Sequence, residues 1–194
     1  MIQQYYNKHA KEFINNTLNV DLKPIYERFE PYLKKGQKIL DVGFGSGRDS
    51  LHFDKKGYEV VSIDFAEEIV SRGKILLSNE VLLVDVRDMQ YKDEFHAIWA
   101  SAVFLHLTEE EMLKAFENCA EALKMKGSLY VSFKYGDTEK YRHGRYFNDY
   151  NEVKFSEMIS GCEKFNISEM WKTEDARPNK KGHYWLNVIL KRKY

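Results

Sequence analysis

Four stretches of this chain combine residue types and spacings suited to chemistry. In the first, Gly43-Phe44-Gly45-Ser46-Gly47 sets three glycines at alternate positions behind the apolar run Ile39-Leu40-Asp41-Val42. A strand passing through such a turn into a helix lets backbone approach a ligand with no Cβ in the way. The second is Asp64, 17 positions past Gly47 at the end of Tyr58-Glu59-Val60-Val61-Ser62-Ile63. A carboxylate there can accept hydrogen bonds from both hydroxyls of a ribose; a lone Asp at a strand end otherwise reads as a helix cap. The third is His106, just past the apolar segment 95–101. Its ordinary pKa lies near neutrality, so it either orients or deprotonates an acceptor or makes a structural hydrogen bond at a helix entry. The fourth, from Lys134 to Tyr150, interleaves Lys134, Tyr135, Lys140, Tyr141, Arg142, His143, Arg145, Tyr146 and Phe147. That mixture either holds a planar or anionic group by cation–π contacts and charged hydrogen bonds, or forms a solvated loop with aromatics packed beneath it.

The elements that would carry these residues alternate. Residues 1–19 read as a helix with Tyr5, Tyr6, His9, Phe13 and Leu18 on a partly apolar face. Asp21 can cap a second helix with Pro24 in its first turn, a buried stripe of Ile25, Phe29, Tyr32 and Leu33, and Gly36 at its end. Strands are expected at 39–42, 58–64, 81–84, 95–101 (continuing through 107), 129–133, 165–173 and 184–190. Helices are expected from Ser46 to Lys56 with Gly57 at its C′ position, from Glu67 to Leu77, from Thr108 to a stop at Gly127, and from Glu152 to Ser160. Thr108-Glu109-Glu110-Glu111 is a capping box, and Met112, Ala115, Phe116, Cys119 and Leu123 form the stripe behind it. In the last helix Val153, Met158 and Ile159 should face inward.

Taken in order, these motifs resemble the class I S-adenosylmethionine (SAM)-dependent methyltransferases. The loop reads G-x-G-x-G after an acidic residue, not the G-x-G-x-x-G of dinucleotide enzymes. The resemblance spans Ile39 to Leu190 and implies an α/β, Rossmann-like fold. Its sheet would be seven-stranded and mostly parallel, with an antiparallel last strand and helices on both faces. It also implies a single domain over 1–194, with 1–35 a helical cap and 36–194 the core. SAM, leaving as S-adenosylhomocysteine, would be held by Asp41, Gly43, Phe44, Gly45, Gly47, Asp64, Phe65, Asp85, Val86, Arg87 and Ser101. Many members carry a small residue where Phe44 stands, so the sulfonium end of the pocket would be shaped differently here. His106 would be the catalytic residue. Tyr5, Tyr6, Lys134, Tyr135, Arg142, Arg145 and Arg177 would meet the acceptor, Tyr5, Tyr6 and His9 being either a lid or a packed surface helix. The segments 173–178 and 185–187 look like those of small bacterial methyltransferases near the tellurite-resistance type.

Composition narrows the acceptor. Formal net charge is zero over 194 residues, so bulk attraction to nucleic acid or membrane is not indicated. From Lys134 onward, however, there are 13 basic against 9 acidic residues. No (Asn/Asp)-Pro-Pro-(Tyr/Phe) sequence follows the fourth strand and no Cys occupies its loop, which disfavours nucleobase amino or C5 methylation. Cys119 and Cys162 are too few for a disulfide framework or metal cluster and read as reduced core residues; no metal is expected. With no apolar leader and no span of membrane length, cytoplasm is the simplest compartment. The expected acceptor is a small molecule with an N, O, S or chalcogen nucleophile. Two alternatives stand beside it. One is an RNA or protein methyltransferase docking through Lys180, Lys181, Lys191, Arg192 and Lys193; the other is a SAM-binding subunit without catalysis. Oligomeric state is not readable from the sequence.

Overall fold

The computed structural model describes residues 2–194. The central strand β1 (Lys38–Val42) is buried on both faces because its side chains alternate between two cores. Ile39 packs with Phe29, Phe53 and Trp99, whereas Leu40 and Val42 pack with Phe104, Phe116 and Leu129. Strands β2 (Glu59–Asp64) and β3 (Glu80–Leu83) extend the sheet on one side of β1. On the other side lie β4 (Phe95–Ala100) and β5 (Leu123–Lys134), all in parallel register. Helices α3 (Arg48–Lys55) and α4 (Glu67–Leu76) link the first three strands, and α5 (Glu109–Ala122) links β4 to β5.

The strand order, with β8 (Phe165–Glu174) and β9 (Tyr184–Arg192), is β3-β2-β1-β4-β5-β9-β8. β9 is antiparallel to both β5 and β8, as expected of a mostly parallel sheet with an antiparallel last strand. Chain direction across the sheet reverses between β1 and β4. In open α/β sheets a crevice forms at the carboxyl ends of the strands at that point. Helices α1 (Ile2–Thr17) and α2 (Lys23–Phe29) precede the sheet; residue 1 of the expected first helix lies outside the described residues. Among the described residues no helix is long and apolar enough to cross a membrane.

Four local expectations change. α3 begins at Arg48 because Gly47 takes φ +81° as its N-cap. β4 stops at Ala100; Ala102 turns left-handed at φ +58°, and 104–106 is a single 3₁₀ turn instead of more strand. Gly127 lies inside β5 rather than ending α5, at a register shift where a Cβ would lie 2.8 Å from the Lys124 carbonyl oxygen. In α6 (Glu152–Ser160) Val153 points to solvent, and Phe155 takes the inward place beside Met158 and Ile159. The irregular 134–150 stretch contains a hairpin, β6 (Glu139–Arg142) and β7 (Arg145–Asn148). His143 and Gly144 close it with φ +50° and +75°, the two positive values that a tight two-residue hairpin turn requires.

Candidate active site

A cleft of about 1090 Å³ opens at the carboxyl ends of β1 to β5, roofed by α1, the α1–α2 connection and the hairpin. Its floor is the glycine loop. Gly43 and Phe44 both donate their N–H to the Ile63 carbonyl, at 2.7 and 3.2 Å, which folds the loop back over β2. Gly43 and Gly45 have φ of +63° and +53°, and Cβ atoms there would lie 2.6 Å from Val103 and 2.8 Å from Phe13. Glycine is therefore required at both positions. Asp64 ends β2 at the cleft wall and accepts the N–H of Ala66 at 3.0 Å and of Gly45 at 3.3 Å. Burial pushes its carboxyl up to about 6.

At the far wall the Asp85 carboxylate is already engaged by Arg87. The backbone N–H and Nε reach Oδ1 at 2.9 and 3.0 Å, and Nη2 reaches Oδ2 at 2.6 Å. Burial opposes the charge, but these bonds outweigh it and hold Asp85 below its ordinary range. Arg87 also bonds Glu111, so the Asp85 carboxylate at this wall is ion-paired rather than free.

At the opposite end His106 is fixed from both sides. A carbonyl only accepts, so Nδ1–H donates to the Tyr146 carbonyl at 2.7 Å. Nε2 is then bare and accepts the Tyr6 hydroxyl at 3.0 Å. Burial lowers the imidazole to about 4, so it is neutral at physiological pH. Lys134, Arg142, Arg145 and Arg177 stand on the same part of the wall.

A family profile described as "Methyltransferase domain" matches residues 39–127, which hold the glycine loop, Asp64, Asp85 and His106. The phosphoethanolamine N-methyltransferase of Plasmodium falciparum is 25% identical over 163 residues, covering 81% of this chain and 61% of that protein. The probable S-adenosyl-L-methionine-dependent methyltransferase TehB of Haemophilus influenzae is 24% identical over 158 residues, covering 71% and 51%. The chain thus spans between half and two thirds of the length of these curated relatives. In structure it is similar to the Burkholderia thailandensis 1,6-didemethyltoxoflavin-N1-methyltransferase, solved with S-adenosylhomocysteine bound. That likeness has a TM-score of 0.84 at 15% identity, covering 100% of this chain and 88% of the other. Residues 39–127 thus match a methyltransferase domain, and the chain is similar in fold to a SAM-dependent methyltransferase over its whole length.

The residues of this cleft fit SAM. Among the described residues Asp64 is met by backbone N–H groups and by no side-chain donor, so its oxygens keep lone pairs for a diol. Gly43, Phe44, Gly45, Phe65, Val86, Arg87 and Ser101 all border the cleft with Asp64 and Asp85. Asp41 and Gly47 do not. Asp41 is buried under the loop, where Ser50 Oγ donates to it at 2.6 Å and in turn meets Ser62 Oγ at 2.7 Å. Gly47 serves to start α3. Phe44 borders the cleft, and its side chain packs into the α1–α4 cluster with Ala10, Ile69 and Val81.

On the acceptor side Tyr6, Lys134, Arg142, Arg145 and Arg177 border the cleft, whereas Tyr135 points away. The Tyr135 hydroxyl donates to Glu152 on α6 at 2.8 Å, and Lys172 lies 4.0 Å from its ring. Tyr5 sits one layer back, its ring 4.3 Å under the Arg145 guanidinium. His9 lies beside Tyr5 and Glu12 on the outer side of α1, off the cleft wall.

Sequence reasoning missed the network beneath the loop. Asp49, buried, accepts from Trp99 Nε1 at 2.9 Å, from Arg48 Nε at 2.7 Å and from the Tyr26 hydroxyl. The adjacent Arg48-Asp49 pair was visible, but its partners arrive from α2 and β4. Asp175 is a second such anchor, accepting Arg177 Nε at 2.9 Å, Arg177 Nη2 at 2.6 Å and Trp185 Nε1 at 3.0 Å.

Proposed function

We propose that this protein transfers the SAM methyl group to a small-molecule acceptor whose nucleophilic N, O, S or chalcogen atom lies beside Tyr6 and His106. The observation that carries this reading is the Tyr6–His106 pair, a phenol on a neutral imidazole between the glycine-loop cleft and the basic wall. Both the phosphoethanolamine and the 1,6-didemethyltoxoflavin enzymes are named for small acceptors, which supports the same class.

The bound cofactor supplies a sulfonium-activated methyl, so the protein's task is to place the acceptor in line and exclude water. Asp64 would hold the ribose, the loop from Gly43 to Ser46 the amino-acid end, and Val86 with the Asp85–Arg87 pair the adenine side. A proton leaving the acceptor passes to the Tyr6 oxygen while the phenol's own proton passes to Nε2 of His106. Burial raises the Tyr6 phenol and lowers the imidazole. Transfer is therefore uphill until the acceptor's proton acidifies as the new bond to carbon forms. An acceptor already ionised would bypass the pair.

The test is transfer of labelled methyl from SAM into size-fractionated cell extract by the wild type and Asp64→Ala. Label in the small-molecule fraction, lost in the variant, supports the proposal. Label in RNA or protein overturns the acceptor class. SAM binding without transfer to any fraction points to a binding subunit.

A further inference from the structure

The basic wall beside His106 is not uniformly neutralised. Arg142 is answered by Asp149 at 2.6 Å, and that carboxylate also takes Lys140 at 3.2 Å. Arg177 is answered by Asp175 at 2.6 Å. Arg145 and Lys134 have no carboxylate within ion-pair distance among the described residues. Arg145 is stacked instead, 4.3 Å over the Tyr5 ring and 5.2 Å from the Phe147 ring, and its buried Nε has no hydrogen-bond partner. Lys134 lies 4.7 Å over Trp185. Aromatic faces orient a cation but supply no net charge, so these two half-buried side chains leave about two positive charges at the cleft.

These two cations also adjoin the reacting end. Phe147 touches both Arg145 and the His106 ring, the latter at 4.7 Å. Tyr6, bonded to His106, stands 5.6 Å from Tyr5, on which Arg145 is stacked. Arg145 and Lys134 are the two charges that add to burial in lowering the imidazole, and burial with the neighbouring Arg177 and Arg142 holds Lys134 below its ordinary range.

We propose that the acceptor carries an anionic group, carboxylate or phosphoryl, clamped by Arg145 and Lys134 while its nucleophilic atom meets the Tyr6–His106 pair. This rests on the methyl-transfer reading above. A planar guanidinium fork and a point ammonium together suit a group with two or three anionic oxygens. The same anion cancels the charges opposing protonation of His106, so acceptor binding makes the imidazole a stronger base.

The experiment uses the full chain saturated with S-adenosylhomocysteine, so that the cofactor's own carboxylate is in place. Inorganic phosphate and acetate are then titrated in while the His106 ring proton resonances are followed. Saturable binding is expected, with the His106 midpoint moving upward. Tighter phosphate than acetate binding assigns the phosphoryl group, and the reverse assigns the carboxylate. Arg145→Gln and Lys134→Gln should each weaken the preferred anion at least about tenfold. Unchanged S-adenosylhomocysteine affinity in both variants shows that they are folded.

Anions that bind only without S-adenosylhomocysteine, that bind both variants as they bind the wild type, or that fail to bind would overturn the clamp and leave the methyltransferase reading standing. A wild-type protein that does not bind S-adenosylhomocysteine would remove that reading and the clamp together. A second arm passes the extract over a strong anion exchanger. Acceptor activity in the retained fraction supports the proposal, and activity confined to the flow-through overturns it.

Discussion

Tyr6 and His106 are 100 residues apart in sequence and 3.0 Å apart in the fold. The bond joins the first helix to the turn after β4, and the Tyr146 carbonyl on β7 holds the other face of the ring. Three separate segments therefore set one tautomer. If this pair relays the acceptor's proton, Tyr6→Phe should lower kcat at least about tenfold and His106→Ala about 10²–10³-fold. SAM affinity should stay nearly constant. Steady-state kinetics at saturating SAM checks this; full activity in both variants would make the pair structural.

The pH profile should lack the usual histidine inflection. Burial holds His106 at about 4, so it is neutral from pH 5 to 8 and gains its proton only near the acid limit. With SAM saturating, kcat/KM for an acceptor that does not itself titrate should be flat across that range. An inflection near pH 6.5 that disappears in His106→Ala would contradict the buried, neutral ring.

Asp64 should make cofactor affinity pH-dependent instead. Its carboxyl is pushed up to about 6, so lowering the pH through that value protonates it and removes an acceptor for a ribose hydroxyl. Binding of S-adenosylhomocysteine should weaken below pH 6 in the wild type and lose this dependence in Asp64→Asn. The sign for stability is opposite. The folded pKa lies above the unfolded value, so the charged form destabilises the empty protein above pH 6, and the penalty is relieved between pH 6 and 4. Asp64→Asn should therefore stabilise the cofactor-free protein at pH 7.5 by roughly 2–3 kcal/mol while weakening cofactor binding, as read by urea melts and calorimetry.

Gly73 sits within α4, where alanine would ordinarily be better by about 1 kcal/mol. A Cβ there would meet the Phe44 ring at 2.5 and 2.6 Å. Gly73→Ala should therefore destabilise by about 1–2 kcal/mol through overpacking. In a Phe44→Ala background the ring contact is gone and only Val81 Cγ1, 3.2 Å from the new Cβ, must give, so the same substitution should become neutral or stabilising by up to about 1 kcal/mol. Urea denaturation of the four proteins in the cycle measures the coupling.

Much of the fold was legible because the buried parallel strands read as apolar runs with acidic residues at their ends. Asp64 and the glycine loop needed only local spacing. Gly127 misled because a glycine after a helical stripe usually ends the helix, whereas here the chain enters β5 at Leu123 and the glycine relieves a later bulge. The hairpin had a local signal, His143-Gly144 between short polar–aromatic runs, that the irregular reading passed over. Arg48-Asp49 and Asp41 could not be assigned from spacing, since tertiary packing decides that one carboxylate binds Tyr26 and Trp99 and the other faces Ser50. Tyr135 failed for a simpler reason: at its position the side chain turns toward α6 while its neighbour Lys134 borders the cleft.

The place of β9 has a consequence for biosynthesis. Strand Tyr184–Arg192 is the latest in sequence, yet it lies inside the sheet between β5 and β8. While those residues are still within the ribosome, β5 presents an unpaired edge, and β8 has no neighbour to hold it. A nascent chain halted before Tyr184 is therefore sticky at the strand that carries Lys134. Emergence of residues 184–192, rather than assembly of the glycine loop, is the step that closes the sheet.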